Sequence, residues 1–267
     1  MKGKPVMLIT GAGHGLGRAL AQRAISDHRV ALLDRDENAG RATAEVLRQA
    51  GGEVLFLGAD VSRERDLRQA VDRILRRWSR LDVVINNAGL AAAAPFEALD
   101  QQSWEDPWRV NVMGTVYGCR TALTVMKQQG SGHLVNVAAL AGITAPPGMA
   151  SYVACNAALI RLSEALAAEL SGLGIRVSVV CPDLFASDLA RHMSGSDVLG
   201  RARLQRALQR APDSADLVAG RILDALPQAP LYIFPQPEAK RAWRRKRRHP
   251  ERFIRAMMER AKRLRLT

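Results

Sequence analysis

Seven short runs of β-branched and other apolar residues punctuate the chain: Val6–Thr10, Val30–Asp34, Val54–Leu57, Val83–Asn86, Leu134–Ala138, Val177–Cys181 and Leu231–Phe234. They are almost continuously apolar rather than alternating. Strands buried on both faces read this way, and such strands belong to parallel sheets. Between them, apolar residues recur three and four apart, as in Leu67, Val71, Ile74, Leu75 and Trp78, the period of a helix with one buried face. Strand and helix alternate from Val6 to Phe234. The pattern therefore predicts an α/β fold, a three-layer doubly wound parallel sheet of Rossmann type. No linker, repeat or low-complexity segment breaks it before Pro235. The expected organisation is one nucleotide-binding domain over 1–237 and a basic helical C-terminal tail over 238–267.

The 267 residues are 48% apolar and 24% charged, an ordinary soluble composition. No run approaches the roughly 18 apolar residues of a membrane span. The opening Met1-Lys2-Gly3-Lys4-Pro5 lacks a small-residue cleavage site, so no export signal and a cytoplasmic location are expected. Cys119, Cys155 and Cys181 are an odd number without CxxC spacing, which argues against a disulfide framework and against a metal site. Their ordinary role is that of small buried apolar groups. Cys155 adjoins the candidate site and is a conceivable nucleophile, but no base near it in the sequence would activate it.

Charge changes the picture at one end only. Thirteen of the 39 lysines and arginines, but three of the 26 acidic residues, fall within 238–267, so the rest of the chain is nearly neutral. The net +13 is a statement about partners rather than fold. After the dense run Lys240–Arg248, Pro250 can start a helix. One face would carry Phe253, Ile254, Met257, Met258, Ala261 and Leu264, with arginines opposite. That is the pattern of a helix lying on an anionic membrane surface, making the protein peripheral to the membrane. Nucleic-acid attraction and packing on another subunit are alternatives. The absence of a base-reading motif argues against sequence-specific nucleic-acid binding.

Candidate chemistry begins where the first strand ends, in Thr10-Gly11-Ala12-Gly13-His14-Gly15-Leu16-Gly17, a T-G-x-x-x-G-x-G spacing. Glycines let backbone approach a pyrophosphate, and the next helix offers free N–H groups and its positive end. Asp34 closes the second strand. A carboxylate there accepts from an adenine-ribose diol and repels a 2′-phosphate, favouring NAD over NADP, although His14 and Arg35 are cations close enough to weaken that preference. A helix N-cap or a solvated strand end is the plainer role for Asp34. Asp60-Val61 follows the third strand and can meet the adenine; Asn86-Asn87-Ala88-Gly89 follows the fourth.

With Val110-Asn111-Val112, these motifs in this order resemble the short-chain dehydrogenase/reductase family over about residues 5–235. The resemblance implies a nicotinamide nucleotide lying over Gly11, His14, Gly15, Leu16, Gly17, Asp34, Arg35, Asp60, Val61, Asn87, Ala88 and Gly89, and reaching Tyr152, Pro182 and Ser187. It implies that Tyr152 is the general acid/base, that Asn111 supports a water-linked proton path, and that the chain forms a homodimer or homotetramer through the fourth and fifth crossover helices. The family's Lys, four residues after the Tyr, is here Asn156, and its Ser, thirteen residues before it, is Ala139. The family's Pro-Gly is Pro182-Asp183. Without a cation, Tyr152 is expected to keep a phenol pKa of about 10.

Residues 183–212 take the place of the family's substrate lid. Arg201, Arg203, Arg206 and Arg210 would attract anions there with His192 as a spare proton carrier, or the segment is a solvated helix with Leu204 and Leu208 inward. The implied function is NAD-dependent oxidation or reduction of a small lipophilic alcohol or carbonyl, with weakened catalysis. A non-redox enzyme and a non-catalytic nucleotide-binding protein are the alternatives.

Overall fold

The computed structural model describes residues 3–194 and 198–265. Seven strands, β1 (Val6–Thr10), β2 (Arg29–Asp34), β3 (Val54–Gly58), β4 (Val83–Asn86), β5 (Gly132–Val137), β6 (Ile175–Val180) and β7 (Tyr232–Ile233), form one sheet in the order β3-β2-β1-β4-β5-β6-β7. Every pairing is parallel. The continuous apolar runs have a direct cause. Val6 and Leu8 of β1 pack with α3 (Glu64–Trp78) and α5 (Gly114–Gln129) on one face. Met7 and Ile9 pack with α1 (Gly15–Ala24), α2 (Glu37–Gln49) and α9 (Ala215–Ala225) on the other. In α3 the predicted stripe buries Leu67, Val71, Ile74 and Trp78.

The strand order reverses between β1 and β4, and loops at the carboxyl ends of those strands diverge into a crevice. Around it lie α4 (Gln101–Pro107), a π-helical segment (Trp108–Met113), α6 (Ala141–Thr144), α7 (Ala150–Glu169) and α8 (Val198–Gln209).

The tail forms two helices, α10 (Pro237–Arg248) and α11 (Pro250–Arg265). Proline opens each, where a missing N–H costs no hydrogen bond. α10 is docked on the sheet edge. The Trp243 ring lies 5.4 Å from Tyr232 and 5.3 Å from Phe234, Ala239 is fully buried, and the Lys246 ammonium donates to the Ile143 carbonyl of α6. Among the described residues, no helix is long and apolar enough to cross a membrane.

Beneath the crevice, buried polar groups tie the sheet to α7. The Asn86 amide donates to Asn136 Oδ1 at 2.9 Å, the Asn136 amide donates to Ser163 Oγ at 2.9 Å, and Ser163 donates to the Leu159 carbonyl at 2.7 Å. Gly118 of α5 leaves room for this chain, since a Cβ there would meet Asn86 Oδ1 at 2.1 Å. Asn136→Ala strips partners from Asn86 and Ser163, and a buried group left short costs about 1–3 kcal/mol. The expected result is a urea midpoint lowered by that amount at unchanged m-value; a midpoint at the wild-type value would contradict it.

Candidate active site

One cavity of about 1690 Å³ occupies the crevice. That exceeds the roughly 300–1,000 Å³ of a pocket for one drug-sized ligand, leaving room for a nucleotide and a second molecule. Its inner end is built from the loop between β1 and α1. Gly11 and Gly15 hold positive φ, 65° and 46°. A Cβ on Gly11 would meet Ala88 Cα at 2.8 Å, whereas one on Gly15 would meet nothing within 4 Å, because Gly15 faces open space. Helix α1 starts there without a side-chain cap, so its first N–H groups face the cavity unspent.

One predicted contact falls outside the cavity. Gly17 does not line the cavity; it packs behind the loop, where a Cβ would come within 2.1 Å of the Gly11 carbonyl. Asn87 lines it, but its side-chain amide donates to the Thr10 and Gly11 carbonyls at 2.9 and 3.3 Å, making it a latch between β1 and β4. Thr10 Oγ1 closes the latch by accepting from the backbone N–H groups of Asn87 and Ala88 at 2.9 and 3.0 Å.

Asp34 is buried, so it is neither a solvated strand end nor a helix cap. Its carboxylate accepts from the Gly13 and Asp36 N–H groups at 2.7 and 2.9 Å, fixing it at the cavity edge with lone pairs to spare. Asp36 is the cap of α2, accepting from Ala39 N at 3.0 Å, and it also pairs with His14 at 3.1 Å. Arg35, Leu16, Asp60, Val61, Ala88 and Gly89 complete this end. Val61 can sit there because Gly114 has no Cβ; one would meet Val61 Cγ2 at 2.9 Å.

The outer end gathers Asn111, Ala139, Tyr152, Asn156, Pro182 and Ser187. Tyr152 and Asn156 share a face of α7, one turn apart. Burial pushes the Tyr152 phenol up to about 12, and the nearby Asn156 amide only partly opposes it. This corrects the expected value near 10. The Asn156 amide donates to the Tyr152 carbonyl at 2.8 Å, leaving one N–H and its carbonyl oxygen for other partners. The Asn111 side chain accepts from Leu90 N at 2.7 Å and donates to Leu90 O at 2.9 Å, clamping the loop after β4 and leaving one N–H for another partner. Cys155 is buried and its thiol is pushed up to about 11 by burial, an inert core group.

The lid and the tail close the cavity. Leu204 and Leu208 of α8 point inward, as the solvated-helix alternative required, and Arg203 lines the cavity beside them. The side chains of His192 and Leu264 lie outside the described residues. Phe253, Met257 and Ala261 of α11 line the same cavity, while Ile254 and Met258 face outward. The sequence reading did not place these roof residues at the cavity. The i, i+4 spacing was visible, but not which surface it covers.

The short chain dehydrogenase family model matches residues 5–196. The chain is 33% identical over 203 residues to 2-(S)-hydroxypropyl-CoM dehydrogenase 3 of Xanthobacter autotrophicus, covering 75% of this chain and 80% of that protein. It is 31% identical over 234 residues to a cyclopentanol dehydrogenase of Comamonas sp., covering 80% and 92%. Among solved structures, a short chain dehydrogenase/reductase from Burkholderia phymatum in complex with NAD matches with a TM-score of 0.88 at 29% identity, covering 93% of this chain and 94% of that one. A short-chain dehydrogenase from Streptomyces avermitilis matches with a TM-score of 0.81 at 26% identity over 99% of both chains. Fold, motif order and these likenesses agree: the chain belongs to the short chain dehydrogenase family, oxidoreductases on a Rossmann-type nucleotide-binding fold.

Proposed function

We propose that this protein is an NAD-linked oxidoreductase that works on a lipophilic alcohol–carbonyl pair, with proton transfer slowed at Tyr152. One observation carries the reading: an intact nucleotide cradle opens directly onto an apolar cavity whose proton-bearing group is the Tyr152 phenol. The glycine cradle and Asp34 fit a dinucleotide. Gly15 leaves space over the α1 N-terminus, and Asp34 presents a carboxylate to a ribose diol. A bound nicotinamide supplies the hydride acceptor or donor.

The chain itself must hold and move the proton. With the phenol pushed up to about 12, Tyr152 Oη is protonated throughout the neutral range. It is therefore set to give a proton to a carbonyl oxygen. As a base for alcohol oxidation it is ionised only to roughly one part in 10⁵ at pH 7. Ala139 offers no hydroxyl to a developing oxyanion, a loss of about 10²–10³ in rate where such a donor is removed. Carbonyl reduction is the direction these residues support.

The tail is read as part of the substrate site. Its outer face, Ile254 and Met258 beside arginines, is what remains for an anionic membrane surface, less apolar area than the whole stripe would give. Assembly into a homodimer or homotetramer is supported by the exposed Phe96 and Trp108 around α4.

Asp34→Ala is expected to weaken NAD binding about 10-fold or more by calorimetry, through loss of the diol acceptor and of the Gly13 anchor. An unchanged Kd would remove Asp34 from the site. Carbonyl reduction should stay nearly flat from about pH 6 to 10, while alcohol oxidation rises about tenfold per pH unit over that range, because only the second needs the phenolate. A plateau in oxidation near pH 8 would contradict the protonated phenol. Ala139→Ser with Asn156→Lys should raise kcat by about 10²-fold or more and shift the oxidation profile to lower pH, since an ammonium one turn away favours the phenolate. No gain in the doubly substituted protein would show that these positions are not what limits turnover.

A further inference from the structure

Three arginines from three different helices line the substrate cavity: Arg203 of α8, Arg245 of α10 and Arg252 of α11. All three are exposed, while Leu204, Leu208, Phe253 and Met257 on the same helices turn their apolar groups into the cavity. The cavity thus has a lipophilic interior and a cationic rim. Nearby acids are engaged elsewhere. Glu238 pairs with Arg241 and Glu251 with Arg255. Besides Asp34, Asp36 and Asp60 at the nucleotide end, two carboxylates line the cavity. Asp188 lies 3.6 Å from Arg191, and Asp183 accepts from the Leu184 N–H at 2.8 Å. Among the described residues, Arg203, Arg245 and Arg252 have no carboxylate partner. Three arginines without carboxylate partners, bordering one apolar cavity, suit an anion that carries an apolar chain.

We propose that the substrate is an anionic amphiphile, with its alcohol or carbonyl on the apolar chain near Tyr152 and a carboxylate, sulfonate or phosphate held by Arg203, Arg245 and Arg252. This rests on the reading of the cavity as the substrate site. It narrows the substrate from any lipophilic ketone to one bearing a charged end. It also accounts for α11 being anchored through α10 by Trp243 and Lys246, which holds two of the three arginines over the cavity.

The test is calorimetric, on the full chain, with 9-oxodecanoate and its methyl ester, each with and without NADH. The acid is expected to bind about 10-fold tighter than the ester, with the advantage shrinking as salt rises from about 50 to about 500 mM. The variant Arg203→Gln/Arg245→Gln/Arg252→Gln should bring the acid-to-ester ratio to about one. Arg206→Gln/Arg244→Gln/Arg248→Gln, an equal loss of charge outside the cavity, should keep it. Equal affinity for acid and ester, binding of neither, or equal loss in both triple variants would overturn the proposal. Binding heats need no turnover. A protein that prefers the acid but reduces neither compound refutes the oxidoreductase reading and leaves the anion site standing. Flotation with phosphatidylglycerol vesicles separates a lipid headgroup from a soluble acid. If the cavity variant loses vesicles while acid and ester bind it and the wild type alike, the arginines serve a membrane and the proposal is wrong.

Discussion

The Thr10–Asn87 latch governs what the crevice can do. All-parallel pairing sends every crossover over a face of the sheet, so the loops at the carboxyl ends of β1 and β4 part where the strand order reverses. Something must hold those loops apart at a fixed width. Thr10 Oγ1 accepts two backbone N–H groups from the loop after β4, and the Asn87 amide donates back to the carbonyls of Thr10 and Gly11. These bonds tie the glycine loop to the loop after β4 through the chain's own groups. Asp34 continues the same arrangement by gripping Gly13. The nucleotide end is thus preorganised by contacts internal to the chain.

At the reacting end the same economy has a different result. Asn111 is committed to Leu90, and Asn156 is half committed to the Tyr152 carbonyl. Among the described residues, no cation acts on the Tyr152 phenol, so desolvation, the largest influence, outweighs the Asn156 amide and keeps it protonated. Enclosure under α8 and α11 strengthens any dipole inside, yet it also penalises the phenolate. The site is organised to hold a proton rather than to take one.

The fold was largely legible in the sequence because burial on both faces leaves an unmistakable apolar run, and Val6–Thr10 shows why: successive residues feed opposite cores. The cofactor motifs were legible as positions. What spacing could not show is how each side chain's hydrogen-bonding capacity is used. Asn87 and Asn111 occupy their motif places but bond neighbouring backbone. The tail's apolar stripe left its covering surface open for a related reason. A stripe of Phe253, Met257 and Ala261 looks the same whether lipid or a protein cavity covers it. Here the packing of Trp243 on Tyr232 and Phe234 holds α10 against the sheet edge, and Phe253, Met257 and Ala261 line the cavity.

The central claim concerns the proton on Tyr152, and it can be read directly. The sequence has three tyrosines, so ¹³C-ζ labelling gives three resonances, and Tyr152→Phe assigns the one in question. The account predicts that the Tyr152 signal does not begin to titrate below about pH 11 in the wild type, and that Asn156→Lys moves its midpoint down. A wild-type midpoint at or below about 10 would contradict it, because the phenol would then be available as a base without the missing cation.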